Sequence, residues 1–216
     1  MSARTDCDTR TQILSAARRV FARKGMDGAT VREVALCAKV NNAMIYYHFK
    51  DKVELYRSVL SDSFTAFDRI WDDEIFKTRA SVRLKIGKYV EELIRFQHGN
   101  EELRRILSME FASCGRNFKW VAENLFKNSY QRLAAILKEG MKTGELQKTD
   151  PSLAISTLVG MVIQSFIVSP MAEYVTGRKL NLEVVKFTAF VTGMFFDGMT
   201  GKQSGRTSTR KRIAQA

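Results

Sequence analysis

Residues 41–48 combine side chains that can form hydrogen bonds without carrying a formal charge. The segment reads Asn-Asn-Ala-Met-Ile-Tyr-Tyr-His, with two adjacent asparagines, two adjacent tyrosines and one histidine. Asparagine can bond to adenine through two hydrogen bonds, and a small residue such as Ala43 lets a helix approach the bases closely. A merely solvated helix face would carry more charge. Lys50 and Lys52 follow, at positions where a phosphate backbone would run.

Two short helices joined by a tight turn would position this segment. Thr30 and Glu33 have the spacing of a capping box, which predicts the start of the first helix. Residues 39–41 interrupt the apolar pattern, and the second helix is expected from residue 41 or 42 to residue 49. We expect five apolar side chains to lock the two helices together: Val34, Ala35, Val40, Ile45 and Phe49. This is the spacing of a helix-turn-helix, although a helical hairpin with no DNA role would share it.

The remainder of the chain also has the pattern of helices. Only 2 of its 216 residues are proline, which normally punctuates loops and strand edges. A second capping box, Thr9 to Gln12, predicts a first helix that ends at Gly25, and Asp51 would cap a fourth, long helix that carries Trp71. Further helices are expected at about residues 80–97, 102–114, 118–143, 151–170 and 182–200, with breaks near Gly99, Cys114, Gly144 and Gly177.

The positive charge is concentrated at the two ends of the chain. Residues 1–60 hold 11 Lys and Arg against 6 Asp and Glu, residues 61–200 hold 19 against 17, and residues 201–216 hold 5 against none. A basic end beside a nearly neutral module is typical of nucleic-acid binding coupled to another task. The prediction is a DNA-binding domain at 1–60, a helical domain at 61–200 and a basic, disordered tail at 201–216.

Residues 9–60 resemble the DNA-binding domain of the TetR family of bacterial regulators. The matching residues are Ile13, Leu14, Ala17, Phe21, Gly25, Thr30-Val-Arg-Glu-Val-Ala35, Val40 and Ile45-Tyr-Tyr-His-Phe-Lys-Asp-Lys52. The rest of the chain resembles the family only in the number and length of its helices. One departure is Lys39, where the family usually has glycine. A left-handed conformation at a residue other than glycine costs about 1 kcal/mol.

The resemblance implies a role for each residue of this region that matches the family motif. The implied phosphate contacts, which would set the register on DNA, are Thr30, Arg32, Tyr47 and Lys52. The implied groove-facing residues are Asn41, Asn42, Ala43 and Tyr46, with Asn42 as the direct base reader. His48 would contact phosphate or base, and the alternative is a partly buried histidine that packs on the first helix.

The resemblance also implies an effector pocket in the nearly neutral middle of the chain. The candidate lining residues are Arg95, Phe96, Phe111, Trp120, Asn124, Tyr130 and Gln164. Because aromatic residues and few charges dominate this region, the expected effector is a small apolar or amphipathic molecule. No cofactor is expected.

No set of residues in the sequence indicates catalysis or a metal centre. The chain has 2 histidines, and its 3 cysteines (Cys7, Cys37 and Cys114) have no metal-ligand spacing, which fits a reducing cytoplasm. The acidic run at residues 72–74 has no histidine or cysteine nearby, so a solvated helix end explains it. Cys37 is expected in the core, and the chain is not expected to be an enzyme.

An uncharged stretch at residues 151–172 is long enough to cross a bilayer, but it contains several serines and a glutamine. We therefore expect a helix of a cytoplasmic protein that is buried on two sides. Ile155, Val159, Val162 and Phe166 form one stripe of this helix, and Met161, Val168 and Met171 lie elsewhere. One core cannot cover both sides of a helix, so this helix has a surplus of apolar surface. The last helix is expected to have a similar surplus at Val191, Phe195, Phe196 and Met199. A second copy of the chain would cover the surplus apolar surface of both helices in a four-helix bundle, which predicts a homodimer with no membrane contact.

Together these patterns predict an all-α protein. An N-terminal three-helix helix-turn-helix domain is joined by a long helix to a helical ligand-binding and dimerisation domain. The predicted function is a ligand-responsive repressor that binds a palindromic double-stranded DNA operator as a dimer and is released by its effector. The alternative is a helical small-molecule carrier or scaffold whose helix-turn-helix does not bind DNA.

Overall fold

The computed structural model describes the backbone of residues 3–199 and the side chains of residues 8–199. Every regular element in this range is helical, which confirms the all-α prediction. The tail predicted at 201–216 lies outside the described residues, as does the side chain of Cys7.

The described range contains eleven α-helices. In chain order they are α1 (Ala3–Gly28), α2 (Val31–Ala38), α3 (Asn42–His48), α4 (Lys52–Asp68), α5 (Glu74–Lys77), α6 (Val82–Gly99), α7 (Glu101–Ser113), α8 (Phe118–Val121), α9 (Lys127–Thr143), α10 (Pro151–Thr176) and α11 (Val184–Met199). A 3-10 turn (Arg69–Asp72) follows α4, and a π-helical turn (Ala122–Phe126) joins α8 to α9.

Helices α2 and α3 form the helix-turn-helix that the sequence predicts. Thr30 and Glu33 make the complete capping box at the start of α2. Asn41 caps α3, because its side-chain oxygen accepts a hydrogen bond of 2.8 Å from the backbone N–H of Met44. Between the helices, Lys39 adopts φ 54° and ψ 39°. The predicted left-handed residue in the turn is therefore confirmed, and it is not a glycine.

An apolar core beneath α2 and α3 joins them to α1 and α4. Its buried side chains include Ile13, Val20, Phe21, Val34, Ala35, Ile45, Phe49, Leu55 and Val59. Of the five residues predicted to lock the two short helices together, only Val40 is half-buried rather than buried. The core holds α3 by one side, so the opposite side of this helix faces solvent.

Two predicted helix boundaries are wrong: the start of the first helix and the end of the fourth. Thr9 does not cap the first helix, because helical geometry extends back to Ala3 through residues that include neither glycine nor proline. The break at Gly25 is present, with φ 67° and ψ 178° inside the span assigned to α1. Trp71 is not part of α4; it lies in the 3-10 turn, where its indole N–H donates to Ser129 Oγ over 2.8 Å.

Two further corrections concern α10 and Cys37. Helix α10 does not stop at Pro170, because the loss of one backbone hydrogen bond there is tolerated, and it continues to Thr176 before Gly177 adopts φ 67°. Cys37 is half-buried rather than part of the core, and its sulfur accepts a hydrogen bond of 3.6 Å from Arg19.

The chain divides into two compact units. The first comprises the described residues up to Thr78 together with Glu92–Gln131, and the second comprises Arg79–Glu91 and the described residues from Arg132 onward. The helix-turn-helix thus shares its unit with α7, α8 and the π-helical turn. Helices α10 and α11 belong to the second unit.

In the second unit, α10 and α11 each bury one apolar side and expose another. Ile155, Val162 and Phe166 are buried on α10, and the Phe166 ring lies 6.3 Å from that of Phe187 on α11. The predicted surplus on α11 is partly wrong, because Val191, Phe195 and Phe196 are buried within the protomer and Met199 is half-buried. The large apolar residues that α10 and α11 expose are Leu153, Ile167, Met171, Tyr174, Val175, Val185, Phe190 and Met194.

By length and composition, α10 is the one helix within residues 3–199 that could cross a membrane. It has 26 residues, and its most apolar window has a mean hydropathy of 1.8. Only 28% of that window is buried within the protomer. Much of the apolar surface of α10 is therefore exposed among the described residues.

Two helical glycines in the second unit allow a matched test of its packing. A Cβ added at Gly140 would lie 2.9 Å from Leu146 Cδ1 and 3.1 Å from Val82 Cγ1, whereas one at Gly87 would meet nothing within 4 Å. We expect Gly87→Ala to stabilise the protein by about 0.5–1 kcal/mol, since alanine favours the helix. Gly140→Ala should lower stability, because overpacking costs about 1–3 kcal/mol. Urea unfolding measures both, and equal stabilisation by the two variants would contradict the packing described.

Candidate nucleic-acid interface

The exposed side of α3 carries most of the residues predicted to face a DNA groove. Ile45 is the buried residue of this helix, and Asn42 and Ala43 lie on the exposed side. Tyr46 is 57% exposed and Tyr47 is 71% exposed, which is high for tyrosine. The helix therefore presents amide and phenol groups to solvent without a charged side chain among them.

The two adjacent asparagines differ in what their amides already bind. The side-chain oxygen of Asn41 is the cap of α3 and accepts the Met44 N–H. The side chain of Asn42 is exposed and makes no hydrogen bond to any described residue. Of the two, only Asn42 therefore has its whole amide available for a base edge, and Asn41 holds the start of the helix.

His48 occupies the boundary between the exposed side of α3 and the core. It is half-buried, and its ring meets that of Tyr47 edge-on, with the centroids 5.0 Å apart. The Phe49 ring follows at 6.2 Å. This placement fits either of the roles that the sequence leaves open, contact with DNA or packing on the first helix.

The start of α2 is held by a small polar network. Both the backbone N–H and the hydroxyl of Thr30 donate to Glu33 Oε2 over 3.0 Å, and Lys24 pairs with the same carboxylate group. The bond from Lys24, followed by those from Thr30, lowers the pKa of Glu33 from 4.5 to about 2. Because the pKa of Glu33 is lower in the folded state, this carboxylate stabilises the fold. Its contribution is complete above pH 4.5 and is lost as the pH falls through about 2.

Three of the predicted phosphate contacts, Thr30, Arg32 and Lys52, lie at or beside the start of α2. Arg32 is exposed on α2, and Thr30 is exposed although its hydroxyl takes part in the cap. Lys52 is half-buried, and its ammonium group donates to the Ala29 carbonyl oxygen over 3.0 Å. An ammonium group has three donors. Lys52 can thus bind the loop before α2 and still offer hydrogen atoms to a phosphate.

The residues predicted to line an effector pocket are only partly brought together. Phe96 and Phe111 belong to one aromatic cluster around Phe64. The Phe96 ring lies 5.4 Å from the Phe64 ring. The Phe111 ring lies 5.8 Å from that of Phe126, which in turn lies 5.1 Å from Phe64. Trp120 lies under the guanidinium group of Arg57, at 5.1 Å.

The other predicted lining residues are exposed or belong elsewhere. Asn124 donates to the carbonyl of Trp120 over 2.8 Å, so its amide is bonded along its own helix. Arg95 and Tyr130 are exposed in the first unit. Gln164 is exposed on α10 and belongs to the second unit.

The first unit also contains an open cleft of about 430 Å³ that the sequence does not predict. Its lining includes Gly25, Met26, Tyr56, Glu110 and Asn117, and none of the residues predicted for the effector. Glu110 had a detectable signal, since it follows Leu103 and Ile106 on the apolar stripe of α7. Asn117 gave none, because its burial depends on contacts with distant parts of the chain.

Comparison with known proteins identifies the DNA-binding region. The sequence profile of the bacterial regulatory proteins of the tetR family matches residues 13–59, which cover most of α1 and all of α2 and α3. This part of the chain is similar to the DNA-binding domain of the tetR family. The predicted resemblance is thereby confirmed for the helix-turn-helix region, and the protein is a DNA-binding transcriptional regulator. Members of this family are regulators rather than enzymes.

Relatives extend the likeness beyond the DNA-binding region. The fatty acid metabolism regulator protein of Bacillus subtilis is 24% identical over 152 residues, which are 70% of this chain and 78% of that protein. The transcriptional repressor NicS of Pseudomonas putida is 39% identical over 61 residues, 28% of this chain and 29% of that one. The crystal structure of FadR from Bacillus subtilis in complex with stearoyl-CoA has a TM-score of 0.71 at 23% identity, and the match covers 87% of this chain and 98% of that one.

The two asparagines of the helix-turn-helix provide a matched pair of variants. Asn41→Ala should cost about 1 kcal/mol of folding stability, because it removes the cap of α3. Asn42→Ala should leave stability nearly unchanged and weaken binding to the best operator by about 1–3 kcal/mol per half-site. Thermal unfolding and titration with specific and random DNA measure both effects. Equal losses of Asn42→Ala on the two kinds of DNA would show that this residue does not read a base.

Proposed function

We propose that the protein is a cytoplasmic, homodimeric repressor that binds an inverted-repeat operator through α3 and is released by a small apolar or amphipathic molecule. The observation that carries this proposal is the exposed, uncharged hydrogen-bonding side of α3, with Arg32 of α2 and Lys52 of α4 available to phosphates. The match of residues 13–59 to the tetR family supports the DNA-binding part, and the exposed apolar surface of the second unit supports the dimer.

On this proposal, the residues of the interface divide between positioning and reading. Thr30, Arg32, Tyr47 and Lys52 would bind phosphates and set the register of the protein on DNA. Asn42, Ala43 and Tyr46 would face the bases, with Asn41 beside them as the cap, and His48 would contact phosphate or base. The functional division would place DNA binding in residues 1–60, with effector binding and dimerisation in residues 61–200.

The exposed apolar residues of α10 and α11 support a four-helix interface between two copies. Phe190 is 63% exposed and Tyr174 is 91% exposed, although both are large aromatic side chains. A Cβ added at Gly160 or Gly193 would meet nothing within 4 Å, so the helix backbones are open to close approach there. Stable interfaces of this kind bury about 2,000 Å² or more and are strongly apolar. We therefore assign this surface to a second copy rather than to a bilayer.

The aromatic cluster around Phe64 supports an effector with an apolar body. The cluster includes Phe67, Phe96, Phe111 and Phe126 from α4, α6, α7 and the π-helical turn. The related FadR structure holds stearoyl-CoA, which has a long apolar chain and a polar head. By this likeness we propose an amphipathic ligand that places its apolar part against the cluster.

Selection from a random pool of double-stranded DNA, with the full-length protein at low salt, tests the proposal. Recovery of an inverted repeat would support both DNA binding and two-fold symmetry. Its half-sites should place the two recognition helices about 34–36 Å apart or a multiple of that distance. A carrier or scaffold with an inactive helix-turn-helix would enrich no sequence and would show no salt-dependent binding.

The phosphate contact of Lys52 can be tested by salt dependence. Lys52→Ala should weaken binding to all DNA sequences alike and reduce the log–log salt slope of the dimer by about 1.8, since each lost phosphate contact contributes about 0.9. Lys119→Ala, which removes an exposed lysine on α8, is the control and should leave the slope unchanged. An unchanged slope in Lys52→Ala would remove this residue from the phosphate contacts.

The dimer interface can be tested by sedimentation. The wild-type chain should sediment at about twice 24.6 kDa at micromolar concentration. Phe190→Lys should shift it towards the monomer, because a charge would enter the apolar interface. Leu84→Lys changes a similarly exposed residue of α6 in the same unit and should stay dimeric. A wild-type monomer that binds an inverted repeat tightly would contradict the proposed symmetry.

A further inference from the structure

Glu110 of α7 is a buried carboxylate that no cationic side chain neutralises within the described chain. It is 6% exposed. Its two oxygens accept one hydrogen bond each: Oε2 from the Tyr56 hydroxyl over 2.9 Å, and Oε1 from the backbone N–H of Asn117 over 3.0 Å. Hydrogen bonds to a charged acceptor are roughly twice as strong as neutral ones. These two bonds therefore tie α7 firmly to α4 and to the loop that follows α7.

Asn117 extends the network to α1 and α8. Its side chain is 1% exposed; the amide oxygen accepts a hydrogen bond of 3.2 Å from Arg57 Nε, and the amide nitrogen donates to Met26 Sδ. The same Arg57 lies over the Trp120 ring of α8. The amide of Asn117 and the guanidinium group of Arg57 thus connect the end of α1, the first half of α4 and α8.

The loop after α7 passes close to this carboxylate. A Cβ at Gly115 would lie 2.6 Å from Glu110 Oε1, so a larger residue there would displace the carboxylate. Cys114, just before it, has φ 44°, a left-handed conformation that is costly for a residue other than glycine. The loop is therefore held in one specific conformation against Glu110.

One end of the network reaches the DNA-binding core. The Tyr56 ring meets Phe21 of α1 edge-on, with centroids 5.1 Å apart, and Phe21 is fully buried beneath the helix-turn-helix. Burial, and then the charge of Glu110, raise the pKa of Tyr56, so its hydroxyl stays protonated and remains a donor. A shift of α7 would thus be transmitted to α1 and α4 through this hydroxyl.

The other end reaches the aromatic cluster. Phe111 directly follows Glu110 in α7, and its ring lies 5.8 Å from Phe126 and 6.0 Å from Phe118. Consecutive residues of one helix therefore contact the DNA-binding core and the proposed effector region. The cleft of about 430 Å³ beside Tyr56 and Glu110 provides free volume into which the contact can rearrange.

We propose that Glu110, bonded to Tyr56 and Asn117, is the positioning residue that couples the effector region to the helix-turn-helix. This inference rests on the proposed function, since it requires an operator that the protein binds. Coupling between two sites is reciprocal, so operator binding must alter α7 and its following loop if a ligand there alters operator binding. The coupling can therefore be measured before the effector is known.

The test compares backbone hydrogen exchange of α7 and residues 113–117 in the full-length protein, with and without the selected operator. In the wild type, operator binding should change exchange in this segment. Tyr56→Phe keeps the ring on Phe21 but removes the donor to Glu110. It should still bind the operator, and the change in exchange should be lost. Tyr89→Phe removes the same group from a buried tyrosine of α6 in the other unit and should behave as the wild type.

Glu110→Gln is the second variant, and its hydrogen exchange is measured in the same way. The substitution keeps the size of the side chain but removes the charge. This variant should bind the operator without the operator-dependent change in exchange. A purely structural role would lower the melting temperature and leave the operator-dependent change intact, which would overturn the inference. Operator binding by the wild type without any change in α7 would overturn it as well. Failure of the wild type to bind any selected DNA would instead contradict the proposed function.

Discussion

The recognition helix α3 is too short to be stable alone, and the architecture around it follows from that constraint. An isolated helix of fewer than about 12 residues is marginal in water, and α3 has 7. Its stability comes from the Asn41 cap at one end, the burial of Ile45 in the middle and the burial of Phe49 directly after it. Because these three positions hold the helix from one side, the fold does not depend on burying the residues on the other side. The core of α1 and α4 is what makes this division possible.

The elements near α3 could be predicted from the sequence because their determinants are local. The capping box of Thr30 and Glu33, the Asp51 cap and the left-handed turn at Lys39 each depend on residues within a few positions of one another. Two helix boundaries were predicted wrongly because interactions with other parts of the chain outweigh the local sequence pattern. Thr9 has the spacing of a cap but lies inside a longer helix, and Trp71 fits the stripe of α4 but lies in a 3-10 turn, bonded to Ser129.

The candidate effector region was less predictable, since it depends on contacts between distant segments. Phe96 and Phe111 were selected for their type, but Phe64 and Phe126, which join them, are indistinguishable in sequence from ordinary core residues. On α11, hydropathy alone could not separate Phe195, which is buried in its own protomer, from Phe190, which is exposed. The same ambiguity makes α10 suitable in composition for a bilayer, a core or an interface. Hydropathy measures how much apolar surface a helix carries, and only packing shows what covers it.

The π-helical turn at Ala122–Phe126 also determines which partners the continuous segment of α8, the turn and α9 can contact at the same time. A π-helical turn accommodates one residue more than an α-helix of the same height, which rotates everything after it by about 100°. Before the turn, Trp120 stacks against Arg57; after it, Ser129 accepts the indole of Trp71. In a straight α-helix, one of these two partners would point away. The extra residue thus works as a register shift: the same sequence in an unbroken α-helix would turn the part after Phe126 to a different face, whereas deleting one residue of the turn would leave both parts on their present faces.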